Sequence, residues 1–180
     1  SFYKYLKCPS WISHEARGEF RDNPLRLRVQ DDELLQEQER RILATRQSVE
    51  VIADDDESAN AKTLELMQNG TSSIYGGTLI HGHWIAKPDL LERVDGRSSF
   101  GNYYYVAVDI KRSRHLKEEY SIQGSFYAEV LRLVQGMRPT QGYVMRPDGA
   151  VEAYMLDEYA IKFRLTLDGI ERILQGVDEP

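Results

Sequence analysis

Tyr103-Tyr104-Tyr105-Val106-Ala107-Val108-Asp109-Ile110-Lys111 is the stretch on which the fold turns. Its aromatic and β-branched residues predict a strand, and Gly101-Asn102 supplies a turn signal in front of it. Side chains alternate along a strand, so Tyr103, Tyr105, Ala107, Asp109 and Lys111 share one face, and Tyr104, Val106, Val108 and Ile110 the other. The second face is apolar throughout and reads as core. The first begins aromatic and ends in a carboxylate and an ammonium. Such a pair is costly to bury unless something uses it, although a strand end emerging into solvent accounts for it equally well.

The 180 residues fit one domain with a sizeable core. A hydrophobic share of 41% with 29% charged residues is that of an ordinary soluble globular chain. The net charge of -6 argues against a polybasic protein that holds nucleic acid by charge alone. It leaves room for an enzyme whose bound cations supply positive charge locally. A lone cysteine, Cys8, excludes an internal disulfide framework and fits a reducing, cytoplasmic setting. No apolar run resembles a signal peptide or a membrane span. The chain opens without Met and stops at Pro180, so it is read as a piece of something longer.

Outward from the central strand, the pattern predicts helices over residues 2–20 and 31–47, joined by an extended loop. In the second helix Gln38 and Glu39 interrupt the stripe of Leu34, Leu35, Ile42 and Leu43. Glu39 is either a side chain reaching out to water or a carboxylate aimed inward at a site. A short strand at 49–52 precedes Asp54-Asp55-Asp56-Glu57, which lacks the spacing and glycine of a calcium loop and is read as solvated. A helix over 58–69 follows, then a hairpin of 74–80 with 83–94 around His81-Gly82. His81 and His83 lack a third nearby ligand for a metal site. Beyond the central strand come a basic loop (Arg112, Arg114, Lys117), a helix over 118–135, a second hairpin (141–145, 150–155) and a last helix capped by Asp157. The apolar positions of that helix include Tyr159, Ile161, Leu165, Ile170 and Leu174.

Three features recur at consistent places in this order. Asp89 lies in the second arm of the first hairpin, Asp109 and Lys111 end the next strand, and Gln123 and Tyr127 stack four apart on the following helix. Two carboxylates at adjacent strand ends suit a hard cation such as Mg²⁺. A lysine beside them can orient the attacking water in phosphodiester hydrolysis and offset charge on the phosphate.

With Cys8-Pro9, Ile74-Tyr75 to Leu79, Pro88-Asp89-Leu90-Leu91, Asp109-Ile110-Lys111 and Gln123-X-X-X-Tyr127, the sequence resembles the RecB-like nucleases of the PD-(D/E)XK superfamily, which includes the CRISPR-adaptation exonucleases. The resemblance runs from Tyr5 to about residue 173 and implies one α/β domain over 1–180, with a restriction-endonuclease-like core of a central mixed sheet flanked by helices. It implies a Mg²⁺- or Mn²⁺-dependent deoxyribonuclease, acting on single-stranded DNA or DNA ends beside a helicase or other repair protein. Asp89 and Asp109 would hold the metal, with the Ile110 carbonyl as a further ligand. Lys111 would be the catalytic lysine, and Gln123 and Tyr127 the glutamine–tyrosine motif of that branch. Arg112, Arg114 and Lys117 would line the rim as DNA contacts.

The sequence departs from the pattern twice. The family's first motif, Gly-X-X-X-His/Glu, here reads Leu35-Gln36-Glu37-Gln38-Glu39, which makes Glu39 the substitute metal ligand. Many relatives also hold an iron–sulfur cluster with one early and three late cysteines. Cys8 matches the first, and a cluster would need further cysteines past Pro180. A second reading, motivated by the altered first motif and the acidic charge, is a nuclease-fold module without chemistry that serves binding or assembly. RNA or another phosphodiester is a third.

Overall fold

The computed structural model describes residues 40–41, 43–111, 115–146 and 148–175. Cys8, Gln38, Glu39, Arg112, Arg114 and the two expected N-terminal helices up to residue 39 therefore lie outside the described residues.

The described chain is α/β. Its centre is a mixed six-stranded sheet in the order β1 (Val49–Glu50), β2 (Ser73–Tyr75), β5 (Leu90–Ser98), β6 (Gly101–Ile110), β7 (Gln141–Met145) and β8 (Val151–Met155). β1–β2 and β6–β7 are parallel and the other neighbours antiparallel. β3 (Leu79–His81) and β4 (Trp84–Ala86) form a separate two-stranded hairpin. Helices α1 (Asp56–Gln68), α2 (Glu118–Gln135) and α3 (Ala160–Leu174) accompany the sheet, and residues 40–41 and 43–46 are helical, as expected for the end of the 31–47 helix. No helix among the described residues is long and apolar enough to cross a membrane.

The central strand is β6, as its composition predicts, and both its faces are buried. Tyr105 is fully enclosed with Ile74, Leu91, Phe126, Tyr127, Val130 and Leu131, so α2 covers that face. Val108 packs on Leu90 and Met145 on the other, against which Leu43 lies. Gly101 and Asn102 belong to the strand, and the turn falls one step earlier, at Ser99 and Phe100. Gln135, fully buried at the end of α2, binds the Tyr105 backbone twice: its Oε1 accepts from the amide at 2.8 Å and its Nε2 donates to the carbonyl at 3.0 Å. A side chain here supplies the partners that a neighbouring strand would otherwise give. α2 begins with Glu118 and Glu119, acids suited to the positive end of a helix, and stops at Gly136, whose φ of +70° terminates it.

Four expectations are corrected or refined. The hairpin of 74–80 with 83–94 is split: β2 pairs with β5 in the sheet, and only residues 79–86 make the small hairpin. Gly76, at φ +67°, breaks the first arm, and Pro88, which has no N–H, breaks the second. The acidic run is not merely solvated. Asp55 caps α1 by accepting the Ser58 amide at 2.7 Å, which holds its carboxyl below the ordinary range, and Asp56 pairs with Lys87 at 2.5 Å. Asp157 does not cap the last helix, because a 3₁₀ turn (Leu156–Tyr159) intervenes. Ile161 and Leu165, expected in the core, are 77% and 65% exposed; Phe163 and Ile170, two turns apart, point inward instead.

Candidate active site

The end of the β5–β6 ladder sets the geometry of the site. The β5–β6 ladder ends at Leu90 and Val108, and its register brings Asp89 level with Asp109. The Asp89 carboxylate reaches across, and its Oδ2 accepts the Ile110 amide at 2.6 Å. Asp89 also accepts the Gly76 amide on its backbone carbonyl at 3.0 Å, so the residue is fixed from both sides. Asp109 is buried, 4% exposed. Lys111, just past the end of β6, brings its Nζ to 3.3 Å from Asp109 Oδ2. Its own amide continues the parallel ladder to the Met145 carbonyl at 2.9 Å.

The electrostatics follow from burial. Desolvation pushes the Asp109 carboxyl up to about 6, with Lys111 opposing the rise and the Asp89 charge adding to it. Asp89 is likewise raised, mainly by burial, against the pull of Lys111 and the Ile110 amide. Two carboxylates thus share one ammonium in a low-dielectric corner.

Tyr127 and Gln123 close the site from α2. Gln123 Nε2 donates to the Tyr127 hydroxyl at 2.5 Å, and that hydroxyl donates to the Lys87 carbonyl at 3.3 Å. The helix is thereby tied to the residue two before Asp89. Burial drives the Tyr127 phenol well above its ordinary range, with the Asp109 and Asp89 charges adding to the effect. Gln123 Oε1 is buried with no hydrogen-bond partner among the described residues. Buried acceptors of this kind are rare and call for an explanation. Lys117 stands at the N-cap of α2 with its Nζ 5.8 Å from the Tyr120 ring centroid; Lys111 Nζ is 5.4 Å from the same centroid. The rim cation and the inner lysine therefore flank one ring.

The structure brings together Asp89, Asp109, Ile110, Lys111, Gln123 and Tyr127, with Lys117 at the edge. His81 and His83 are exposed on the small hairpin, and the His83 ring packs on Trp84. Among the described residues no cluster of three or more His, Cys, Asp or Glu could hold a metal ion. The two described carboxylates nevertheless have the donor chemistry a hard divalent cation takes, and a cation would offset the burial that raises them both. No soft-ligand set suited to an iron–sulfur cluster is formed by the described residues.

Sequence reasoning missed Tyr154. It stands on β8 against Tyr120 and Ala128, its hydroxyl donates to the Tyr120 carbonyl at 3.3 Å, and the Asp109 charge helps burial raise its phenol. Gly124 and Gly142 leave the space it fills. Two glycines far apart in sequence give no local sign of that role.

No protein-family model matches the chain, and no curated protein matches it significantly.

Proposed function

We propose that this chain is a divalent-metal-dependent nuclease with a restriction-endonuclease-like core, hydrolysing phosphodiester bonds of DNA in single strands or at ends. The observation that carries the reading is the convergence of a buried carboxylate, a partly buried one and one lysine at adjacent strand ends, under a helix whose glutamine and tyrosine are bonded to each other. A structural ion pair needs no second carboxylate, and withdrawing one even partly from water is costly.

Asp89 and Asp109 would hold Mg²⁺ or Mn²⁺, with the Ile110 carbonyl beside them. When bound, the cation supplies Lewis-acid stabilisation of charge on the phosphoryl oxygens. The chain's own residues divide the remaining work. Lys111 presents an ammonium, fixed by Asp109, that donates to a water or a phosphate oxygen and offsets negative charge. Tyr127, tied to the Lys87 carbonyl, fixes the Pro88-Asp89 corner, and the unpartnered Gln123 Oε1 is an acceptor for a water or a nucleotide amine. Lys117 marks a rim where backbone phosphates would be met.

The test is cleavage of end-labelled single-stranded DNA by the purified chain with Mg²⁺, with Mn²⁺ and with EDTA, beside Asp109→Ala. Cleavage should require the cation and vanish in the variant. A well-folded wild type that cuts in neither metal would favour the non-enzymatic module.

A further inference from the structure

A second basic residue stands beside Lys111. Asp109 pairs with Val144 and Val144 with Glu152, so these three form one row across the sheet, on the face that α2 covers. Two residues further along the parallel strands β6 and β7 come Lys111 and Arg146, on that same face and at the same level. The Lys111 amide bonds to the Met145 carbonyl, and the Arg146 amide to the Ala150 carbonyl, both at 2.9 Å, so neither residue is loose. Neighbouring strands run about 4.8 Å apart. The guanidinium of Arg146 and the ammonium of Lys111 thus belong to adjacent positions at the mouth of the site.

Glu152 holds Arg146 in place, with Arg146 Nη2 donating to its Oε2 at 2.5 Å. The Arg146 side chain remains 35% exposed, and the bond to Glu152 engages one nitrogen of a group with five N–H donors. A pair this exposed contributes little to stability. What it does is fix the direction of the guanidinium and neutralise Glu152, a third carboxylate that would otherwise repel an anion approaching Asp109. The other arginine–glutamate pairs among the described residues lie elsewhere: Arg46–Glu92 near the start of the described chain, and Arg132 and Arg138 with Glu129 toward the end of α2.

The geometry points to Arg146 as a substrate-binding residue that takes a non-bridging phosphate oxygen of a single-stranded polynucleotide next to the phosphodiester at Lys111, with Glu152 as its positioning residue. This rests on the nuclease reading and adds a binding subsite to it. Arginine suits the task because its planar fork meets phosphate in a fixed orientation, which a flexible ammonium does not. Arg146 touches the flanking phosphate, not the reacting one, so its contribution falls on binding and leaves the chemical step unchanged.

The test uses the full chain, labelled oligothymidylate, Arg146→Ala, Arg146→Gln and Glu152→Ala, with thermal melts to show that each variant is folded. Both Arg146 variants should raise KM about tenfold with kcat within about twofold. In metal-free binding titrations they should also lower the slope of log Kd against log salt by about 0.7, the loss of one phosphate contact on a single strand. Glu152→Ala breaks the same ion pair but keeps the cation, so its salt slope should equal the wild type's. Wild-type KM and slope in both folded Arg146 variants, with wild-type cleavage intact, would overturn the assignment alone. So would matched losses in Glu152→Ala and Arg146→Ala, since that is how a structural pair behaves. A wild type that neither binds nor cuts the oligonucleotide would remove the nuclease reading, and the subsite with it.

Discussion

The Asp89 carboxylate accepts the Ile110 amide hydrogen at 2.6 Å, ending with a side chain a ladder whose last backbone pair is Leu90 and Val108. The bond ties the two arms of the site together and holds Asp89 level with Asp109. It also keeps two acids close where water screens them poorly, Asp109 being buried, and the first expectation follows from that.

Asp109 has its carboxyl raised from 3.8 to about 6, first by burial and then by Asp89, with Lys111 opposing. Between those values the folded chain keeps a proton that the unfolded chain has released. The stability this group gives is therefore complete below about 3.8 and is lost as pH rises through about 6. Without metal, Asp109→Asn should be more stable than wild type at pH 8 by on the order of 2 kcal/mol. The gap should close near pH 4. Urea denaturation in EDTA at both values checks it, and a gap independent of pH would contradict the burial argument. Added Mn²⁺ should stabilise the wild type and not the variant, since a ligand raises stability only where it binds the folded state.

Lys111 and Asp109 would be equivalent if their 3.3 Å contact were only structural. At a metal site they differ. Asp109→Ala should abolish both Mn²⁺ binding and cleavage. Lys111→Ala should keep Mn²⁺ binding at pH 8, or tighten it, while cleavage falls at least about a hundredfold. At pH 6 the same variant should bind more weakly than wild type, because loss of the ammonium lets both carboxyls rise further and protons compete with the cation. Calorimetric titration at the two pH values separates these outcomes. A Lys111→Ala protein cutting at the wild-type rate would remove Lys111 from the chemistry.

Tyr127→Phe deletes one oxygen and strands two groups, the Gln123 amide nitrogen and the Lys87 carbonyl. The cost should be about 1–3 kcal/mol, the usual penalty for leaving a buried polar group unpaired. Gln123→Met removes both the donor and the unpartnered Oε1 at similar volume. Added to Tyr127→Phe, it should recover part of that loss. Denaturation of the two single variants and the double gives the coupling; strictly additive losses would mean that the two residues do not act as a unit.

How much of this could be read in the sequence depended on whether the signal was local. β6 was legible because period-2 alternation and β-branching are properties of consecutive residues, and the 123/127 spacing because helical geometry fixes it. The split of the first hairpin was harder to see: Gly76 and Pro88 were visible, but nothing local says that β2 skips two strands to pair with β5. The Asp55 cap lies within a run of consecutive acids, which gives no local sign of which carboxylate meets the helix amide. Arg146 and Tyr154 join the site only through the parallel β6–β7 register and a long-range close approach, neither of which leaves a mark in the sequence nearby. For the exposed Ile161 and Leu165, apolar spacing gave the helix but not which way it faces.

The seat of Tyr154 supplies the last expectation. A Cβ at Gly124 would lie 1.8 Å from the Tyr154 hydroxyl oxygen and 3.0 Å from Cζ, so the clash is mainly with one atom. A Cβ at Gly142 would meet Cζ at 2.3 Å, the oxygen at 2.4 Å and Cε2 at 2.6 Å, a clash with the ring itself. Tyr154 cannot swing aside freely, because it is buried between β7 and α2 and bonded to the Tyr120 carbonyl. Gly124→Ala and Gly142→Ala should each cost about 1–3 kcal/mol, as overpacking of a filled site does. Tyr154→Phe removes only the oxygen. It should therefore rescue much of the Gly124→Ala loss and little of the Gly142→Ala loss, despite its own cost of about 1 kcal/mol for the missing hydrogen bond. Two double-mutant cycles by chemical denaturation read the difference. Equal rescue at both glycines would mean that the ring and not the hydroxyl faces α2, and the path from β8 to the helix that carries Gln123 and Tyr127 would have to be redrawn.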